Sequence, residues 1–433
     1  MKTIHSTAAF DDGLDALYRR VSWRLMPFLF LCYVAAYLDR VNVGFAKLQM
    51  LNELRFSDTV YGIGAGIFFI GYFIFEVPSN LLMTRTGARI WIARIMISWG
   101  LISSALMFAD SVASFYVLRF LLGAAEAGFF PGIILYLTYW YPAHRRARMV
   151  ALFMSGVAVA GIVGGPLSGW IMKTFAGLYG LSGWQWLFLL EGLPSVLIGI
   201  CTLFYLDDGI RAARWLSEDD KRRLERAIIE DRKQQQSMPL AQLFRSGKVW
   251  LLALVYFLCV MGLYGVSFWL PQLIKNSGVT DVFDIGFLSA IPYCVAAVVM
   301  VLAARHSDRS GERRWHTAIA ALAGALGLVA ATVYSDNTVI ALAALSVATA
   351  GILSTFPIFW SLPTAMLGGA TAAAGIAMIN SIGNLAGFVS PYLVGAIRDA
   401  TQSTASGIYL LAASLVLGAV LVVTAVKRRL PGT

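Results

Sequence analysis

The sequence predicts an all-α membrane protein: twelve transmembrane helices in two pseudo-symmetric six-helix bundles. Composition is the first observation behind that prediction. Hydrophobic residues make up 58% of 433 and charged residues only 13%, where a soluble domain carries about a quarter charged residues. The second is a mean hydropathy of +0.71, too apolar for a water-facing surface. The third is the recurrence of apolar runs of crossing length, separated by short polar loops and divided by one long polar segment.

Along the chain, Met1 to Arg20 is polar, with Asp11, Asp12 and Asp15 and no apolar signal-peptide core, so the first span is expected to be retained as a signal anchor. A crossing helix needs about 20 mostly apolar residues. The first six such runs are 22–44, 58–82, 90–109, 113–140, 148–172 and 184–206. The glycine strings Gly62–Gly66 and Gly161–Gly169 lie inside apolar helices with no flanking strand, so they read as close helix packing, not nucleotide loops. Pro166 adds a bend to the fifth run. The central segment alternates acidic and basic residues through SEDDKRRLERAIIEDRK, the pattern of a surface helix with i,i+4 ion pairs. The remaining runs are 248–272, 284–304, 315–334, 338–360, 370–397 and 405–426. Small and polar residues run far into the fourth and eleventh. The implied organisation is a bundle over 1–206, a cytoplasmic linker over 207–247 and a second bundle over 248–433.

Lysine and arginine collect on one side: Arg19, Arg20 and Arg24, Arg85 and Arg89, Arg145, Arg146 and Arg148, the central loop, Arg305 to Arg314, and Lys427 to Arg429. The positive-inside rule places both termini and the linker in the cytoplasm, which an even number of spans requires. The net charge of +10 is therefore a topology signal, with no nucleic-acid partner implied. The two halves repeat weakly: Arg85-x-Gly87-x-Arg89 follows the second span and Arg309-x-Gly311-x-Arg313 the eighth. Repeated halves suit a rocking transporter, and these loops are the expected cytoplasmic gate.

Four cysteines scattered without a CxxC pair and four histidines without an HxxxH pair suggest no disulfide framework and no metal. No nucleophile–base pair stands at one depth, so no enzymatic activity and no cofactor are expected.

Four charges stand inside apolar runs: Asp39, Arg40, Arg119 and Glu126. Each costs about 2.5–3.5 kcal/mol at mid-bilayer on insertion scales, so they must face one another or a wet cavity. Asp39 and Arg40 lie about 22–24 Å along the first span, and Arg119 and Glu126 about 9 and 20 Å down the fourth. Arg119 and Glu126 are seven apart and share a face. Two readings stand. In one, Arg40 and Arg119 grip a carboxylate at two points while Asp39 and Glu126 carry protons, because substrate that occupies an arginine removes its hold on a neighbouring carboxylate. In the other, the four lock two helices together.

At these residues the chain resembles the anion:cation symporter family of the major facilitator superfamily. The matching strings are YLDRVNVGFA at 37–46, GYFIFEVPSNLL at 71–82, RFLLGAAEAGFFPGIILYLTYWYP at 119–142 and GNLAGFVSPYLVG at 383–395. EVPSNLL with TGAR is similar to the branch of tartrate, phthalate and 4-hydroxyphenylacetate permeases. The resemblance implies proton-driven import of carboxylates by alternating access, with proton coupling at Asp39 and Glu126 and anion binding at Arg40 and Arg119. It adds Tyr37 and Tyr72 as site aromatics and Asn384, or Asn380, as an eleventh-span amide. The superfamily's acid before Arg-x-Gly-x-Arg is Thr84 in the first half and Asp308 in the second, so the first-half gate is expected to be wired differently.

Asn380 and Asn384 are four apart and share a face, which favours a cavity. Trp269, Gln272, Tyr264, Phe356 and Trp360 either line the second half of the site or pack in the core. Glu76 is a candidate inner gate with Arg85 or the Arg145 cluster. Glu191 reads as structural, paired with a cytoplasmic or loop group. The chain is expected to be a monomer in the inner membrane that imports a small organic anion with protons. The alternative is an exporter or exchanger of amphiphilic compounds, which the paired arginines oppose.

Overall fold

A computed structural model describes residues 2–233, 245–366 and 370–425. Among these, eleven helices are long and apolar enough to cross a membrane. The first six are Gly13–Leu54, Asp58–Thr86, Ala88–Phe108, Val112–Thr138, Ala143–Thr174 and Gly183–Tyr205. After the linker come Gly247–Asn276, Val282–Ser310, Arg314–Val333, Thr338–Pro363 and Thr404–Thr424, the last being the twelfth in order. The eleventh is two shorter helices, Ala370–Asn384 and Ala386–Thr401. The expected run of 370–397 is thus interrupted at Leu385.

Local sequence explains the other break that matters. The fourth helix stops at Glu126 and resumes at Phe129. Gly128 has φ +85, a conformation open to glycine at little cost, and a Cβ there would lie 2.3 Å from the Ser79 hydroxyl. Pro131 falls in the first turn of the resumed segment, where its missing N–H costs nothing. Glu126 is therefore the last residue of a helix that ends within the bundle.

In the first half the third helix packs on the sixth and the second on the fourth. In the second half the tenth packs on the eighth and ninth, and the ninth and seventh on the twelfth. The halves meet most extensively through two helix pairs, the fifth with the eighth and the second with the eleventh. Both crossings depend on glycine. A Cβ on Gly165 would stand 2.4 Å from the Gly286 carbonyl oxygen, and one on Gly62 only 2.3 Å from that of Pro391. With no hydrophobic drive between helices in lipid, such backbone approach supplies the packing.

The linker helix Glu218–Lys233 buries Leu224 and Ile228. Two i,i+3 ion pairs, Lys221–Glu218 and Arg222–Asp219, run along it. It is tied to the first half: Arg20 pairs with Asp220 at 2.6 Å, and the Ala143 backbone N–H donates to Asp231.

Candidate functional site

A chamber lies between the two halves. The first helix contributes Tyr33, Tyr37 and Arg40, and the second Tyr72. The seventh contributes Tyr256 and Tyr264, the tenth Phe356 and the eleventh Asn380 and Asn384. Tyr33, Tyr37 and Arg40 follow at spacings of four and three, one helical face. Arg40 is the only charged residue among the described lining residues. Its guanidinium donates to a Glu126 carboxylate oxygen and, at 3.1 Å, to the Tyr264 hydroxyl. The guanidinium carbon stands 5.3, 5.9 and 5.6 Å from the ring centroids of Phe68, Phe69 and Tyr72, within cation–π range. Glu126 is fully buried, and its second carboxylate oxygen has no partner. The pair thus joins the first and fourth helices with the cation facing the chamber and the anion behind it.

The other two membrane charges go elsewhere. Asp39 is 0% exposed and does not line the chamber. It accepts hydrogen bonds from Trp99 at 2.9 Å, Ser103 at 2.8 Å and Ser195 at 2.6 Å. Consecutive helical residues point about 100° apart, so with Arg40 toward the chamber, Asp39 turns to the third and sixth helices. Arg119 is also fully buried and away from the chamber. It donates to the backbone carbonyls of Gly64 and Ala65, each at 3.1 Å. Two turns separate it from Glu126, about 10 Å, so it meets the second helix while Glu126 meets Arg40. A two-arginine grip with flanking carboxylates is not the geometry; one arginine faces the chamber, paired with one carboxylate.

Of the other predicted residues, Tyr37, Tyr72, Asn380, Asn384, Tyr264 and Phe356 line the chamber. Trp360 does not; it packs on the lining residue Tyr256 at 4.8 Å between ring centroids. Trp269 is buried against Lys47 and Tyr61, and Gln272 donates to Asn276; both lie beyond the chamber. Sequence reasoning missed Tyr33 and Tyr256. The signal for Tyr33 was its place one turn before Tyr37.

On the face away from the linker the halves are sealed. Tyr37 and Ser267 hydrogen bond at 3.2 Å, and the Tyr61 hydroxyl donates to the Phe268 carbonyl at 2.9 Å. Further out, Asp58 receives both Lys47 at 2.7 Å and Arg398 at 3.0 Å, while Asp399 accepts the backbone N–H groups of Asp58 and Thr59. Lys173 pairs with Asp281 at 2.8 Å, and that hydrogen bond holds the Asp281 carboxyl below its ordinary range.

The linker face is different. Among the described residues no ion pair joins Arg85 or Arg89 to Asp308, Arg309 or Arg313. Arg313 turns back on Asp308 and Ser307 within its own half, and Arg309 is exposed. In the first half the acid comes from the linker: Asp208 accepts the Arg89 backbone N–H at 2.9 Å, as a carboxylate caps a helix start. Glu76 pairs with neither Arg85 nor the Arg145 cluster; it accepts from Ser381 across the halves at 2.9 Å. Glu191 pairs with no cytoplasmic or loop group; Ser168 of the fifth helix donates to it at 2.7 Å.

Two helical halves, a chamber between them lined by polar and aromatic side chains and a seal on one face are the architecture of a membrane transporter. The family model described as Major Facilitator Superfamily matches residues 29–391, and the chain belongs to that superfamily. It is 48% identical over 425 residues to "Putative metabolite transport protein NicT" of Pseudomonas putida, covering 97% of this chain and 96% of that one. It is 49% identical over 412 residues to "Putative tartrate transporter" of Agrobacterium vitis, covering 95% and 94%. The crystal structure of a D-xylose-proton symporter superposes with TM-score 0.75 at 16% identity, over 94% of this chain and 98% of that chain. The protein is a multi-pass secondary transporter, not an enzyme.

Proposed function

We propose that this transporter imports a small organic carboxylate together with protons, from an inner membrane in which both termini face the cytoplasm. The observation that carries the proposal is the Arg40–Glu126 pair. Among the described lining residues Arg40 is the one cation, and its counter-ion is a fully buried carboxylate. A substrate carboxylate that takes the Arg40 fork displaces Glu126, which is left in a dry site without its cation. An isolated buried carboxylate is costly, so Glu126 takes up a proton as the substrate binds. Binding and protonation are thereby linked. The tyrosines at 33, 37, 72, 256 and 264 and the amides of Asn380 and Asn384 offer donors and ring faces for the rest of the anion. Within the superfamily, the relative named for tartrate supports a carboxylate substrate.

Alternating access follows from the two faces. The seal on the outer face closes the chamber there, while among the described residues no ion pair ties the gate loops together on the linker face; this supports reading the arrangement as a state facing the cytoplasm. The test is uptake of a radiolabelled carboxylate panel, including tartrate and aromatic acids, into proteoliposomes with and without an imposed proton gradient. Concentrative uptake that collapses with a protonophore supports symport. Uptake indifferent to the gradient, or transport confined to amphiphilic compounds, refutes it.

A further inference from the structure

Four charges meet at the outer end of the crossing between the second and eleventh helices, and the halves share them evenly. Lys47 and Asp58 belong to the first half, Arg398 and Asp399 to the second. Lys47 and Arg398 reach the same oxygen, Oδ1 of Asp58, at 2.7 and 3.0 Å. Asp399 accepts the backbone N–H groups of Asp58 and Thr59, where the second helix starts, at 3.1 and 2.7 Å. The second half thus grips one helix start twice, with a cation on its carboxylate and an anion on its N–H groups. The backbones are close enough to hold that grip: a Cβ on Gly395 would stand 2.2 Å from the Asp58 carbonyl oxygen.

Lys47 is not needed for that grip. It is 2% exposed, with its ammonium 3.2 Å from the ring centroid of Trp269 in the second half. Burying an ammonium is costly, and this one crowds an oxygen that Arg398 already serves, so the two cations repel. Its use appears when the halves part. Arg398 and Asp399 leave together, one cation and one anion, while Lys47 stays on Asp58. Neither half then carries an unmatched charge. Without Lys47 the same motion strands the Asp58 carboxylate, whose side chain is only 16% exposed, and a sheltered charge that loses its partner is strongly destabilising. We infer that Lys47 is a positioning residue of the transport cycle, the resident counter-ion that holds Asp58 when Arg398 lets go and so allows the outer seal to open. The inference rests on the reading above that the sealed face is the outer one, but its test needs no substrate.

The experiment is alkylation of Ser267→Cys in the full-length transporter, in right-side-out vesicles, by a membrane-impermeant maleimide, measured against the parent chain without that cysteine. The rate reports outward opening. Adding Lys47→Met, whose thioether keeps contact with the Trp269 ring, should slow labelling more than tenfold. Adding Asp58→Asn leaves Lys47 and Arg398 facing each other with no carboxylate between them and should speed it more than tenfold. Lys47→Arg, which keeps the charge, should label near the unmodified rate. A residue that only props up the fold would loosen the seal in both the lysine and the aspartate variant, so opposite signs identify the role. Unchanged or faster labelling in Lys47→Met, slower labelling in Asp58→Asn, or a rate in Lys47→Arg as slow as in Lys47→Met overturns the inference. Should Lys47→Met fail to fold, the double variant with Asp58→Asn decides: it should label more slowly than Asp58→Asn alone, and a faster rate overturns the inference. If the sign pattern holds but gradient-driven uptake is absent, the symport reading fails and the role of Lys47 stands.

Discussion

Replacing Glu126 with glutamine removes the anion that competes with substrate for Arg40 and changes the volume of the site little. At about 4 Å and an effective dielectric near 20, a pair of unit charges attracts by about 4 kcal/mol. Substrate binding to wild type must overcome that attraction or wait for Glu126 to be protonated. Each pH unit of proton supply is worth about 1.36 kcal/mol. Wild-type affinity should therefore fall about tenfold per pH unit once Glu126 is ionised, to a ceiling near three orders of magnitude at 1.4 kcal/mol per tenfold. In Glu126→Gln the slope disappears, and affinity at alkaline pH exceeds that of wild type. Arg40 loses its counter-ion but keeps Tyr264 and the surrounding rings, so the variant should be only modestly less stable, and substrate should restore the loss. Equilibrium binding across a pH series measures the slope; proteoliposomes measure gradient-driven accumulation against counterflow. Counterflow should survive while accumulation vanishes. A wild-type pH slope in the variant, or undiminished concentrative uptake, would refute the exchange of partners at Arg40.

The two arginines should separate cleanly. Arg40→Lys loses the planar fork and should weaken substrate binding more than tenfold, whereas Arg119→Lys should leave the dissociation constant near wild type. The latter should instead lower stability by about 1.5–3 kcal/mol, the scale for hydrogen bonds to a charged group, seen as a lower melting temperature in detergent. Equal effects of the two on binding would restore a two-arginine grip. Gly165→Ala forces a Cβ against the Gly286 carbonyl; the fifth and eighth helices should part on the sealed face, raising alkylation from outside of a cysteine placed at Ser267. Unchanged labelling would mean that this crossing does not govern the seal. Lys173 depresses the titration of Asp281, so this tie persists at neutral pH and is lost only as pH falls through the lowered value. Carboxyl NMR of labelled Asp281 checks it, and a midpoint at or above the ordinary aspartate value contradicts it.

Much of this protein is readable before any folding is considered. Apolar run length marks the spans, the cation bias marks one face, and the cost of a charge in lipid singles out Asp39, Arg40, Arg119 and Glu126. Periodicity also groups residues by face, as with Asn380 and Asn384. It cannot say which face looks into the chamber, because that depends on how each helix is rotated against its neighbours. Asp39 and Arg40 are adjacent in sequence yet end in different environments, one on three neutral donors and the other beside the substrate path. The meeting of Lys47, Asp58 and Arg398 across the halves likewise arises from contacts between residues far apart in the chain. The sequence by itself determined which charges must be sheltered; only the packing of helices decided which shelter each one found, since a buried charge takes the partner that its helix rotation brings within hydrogen-bonding reach.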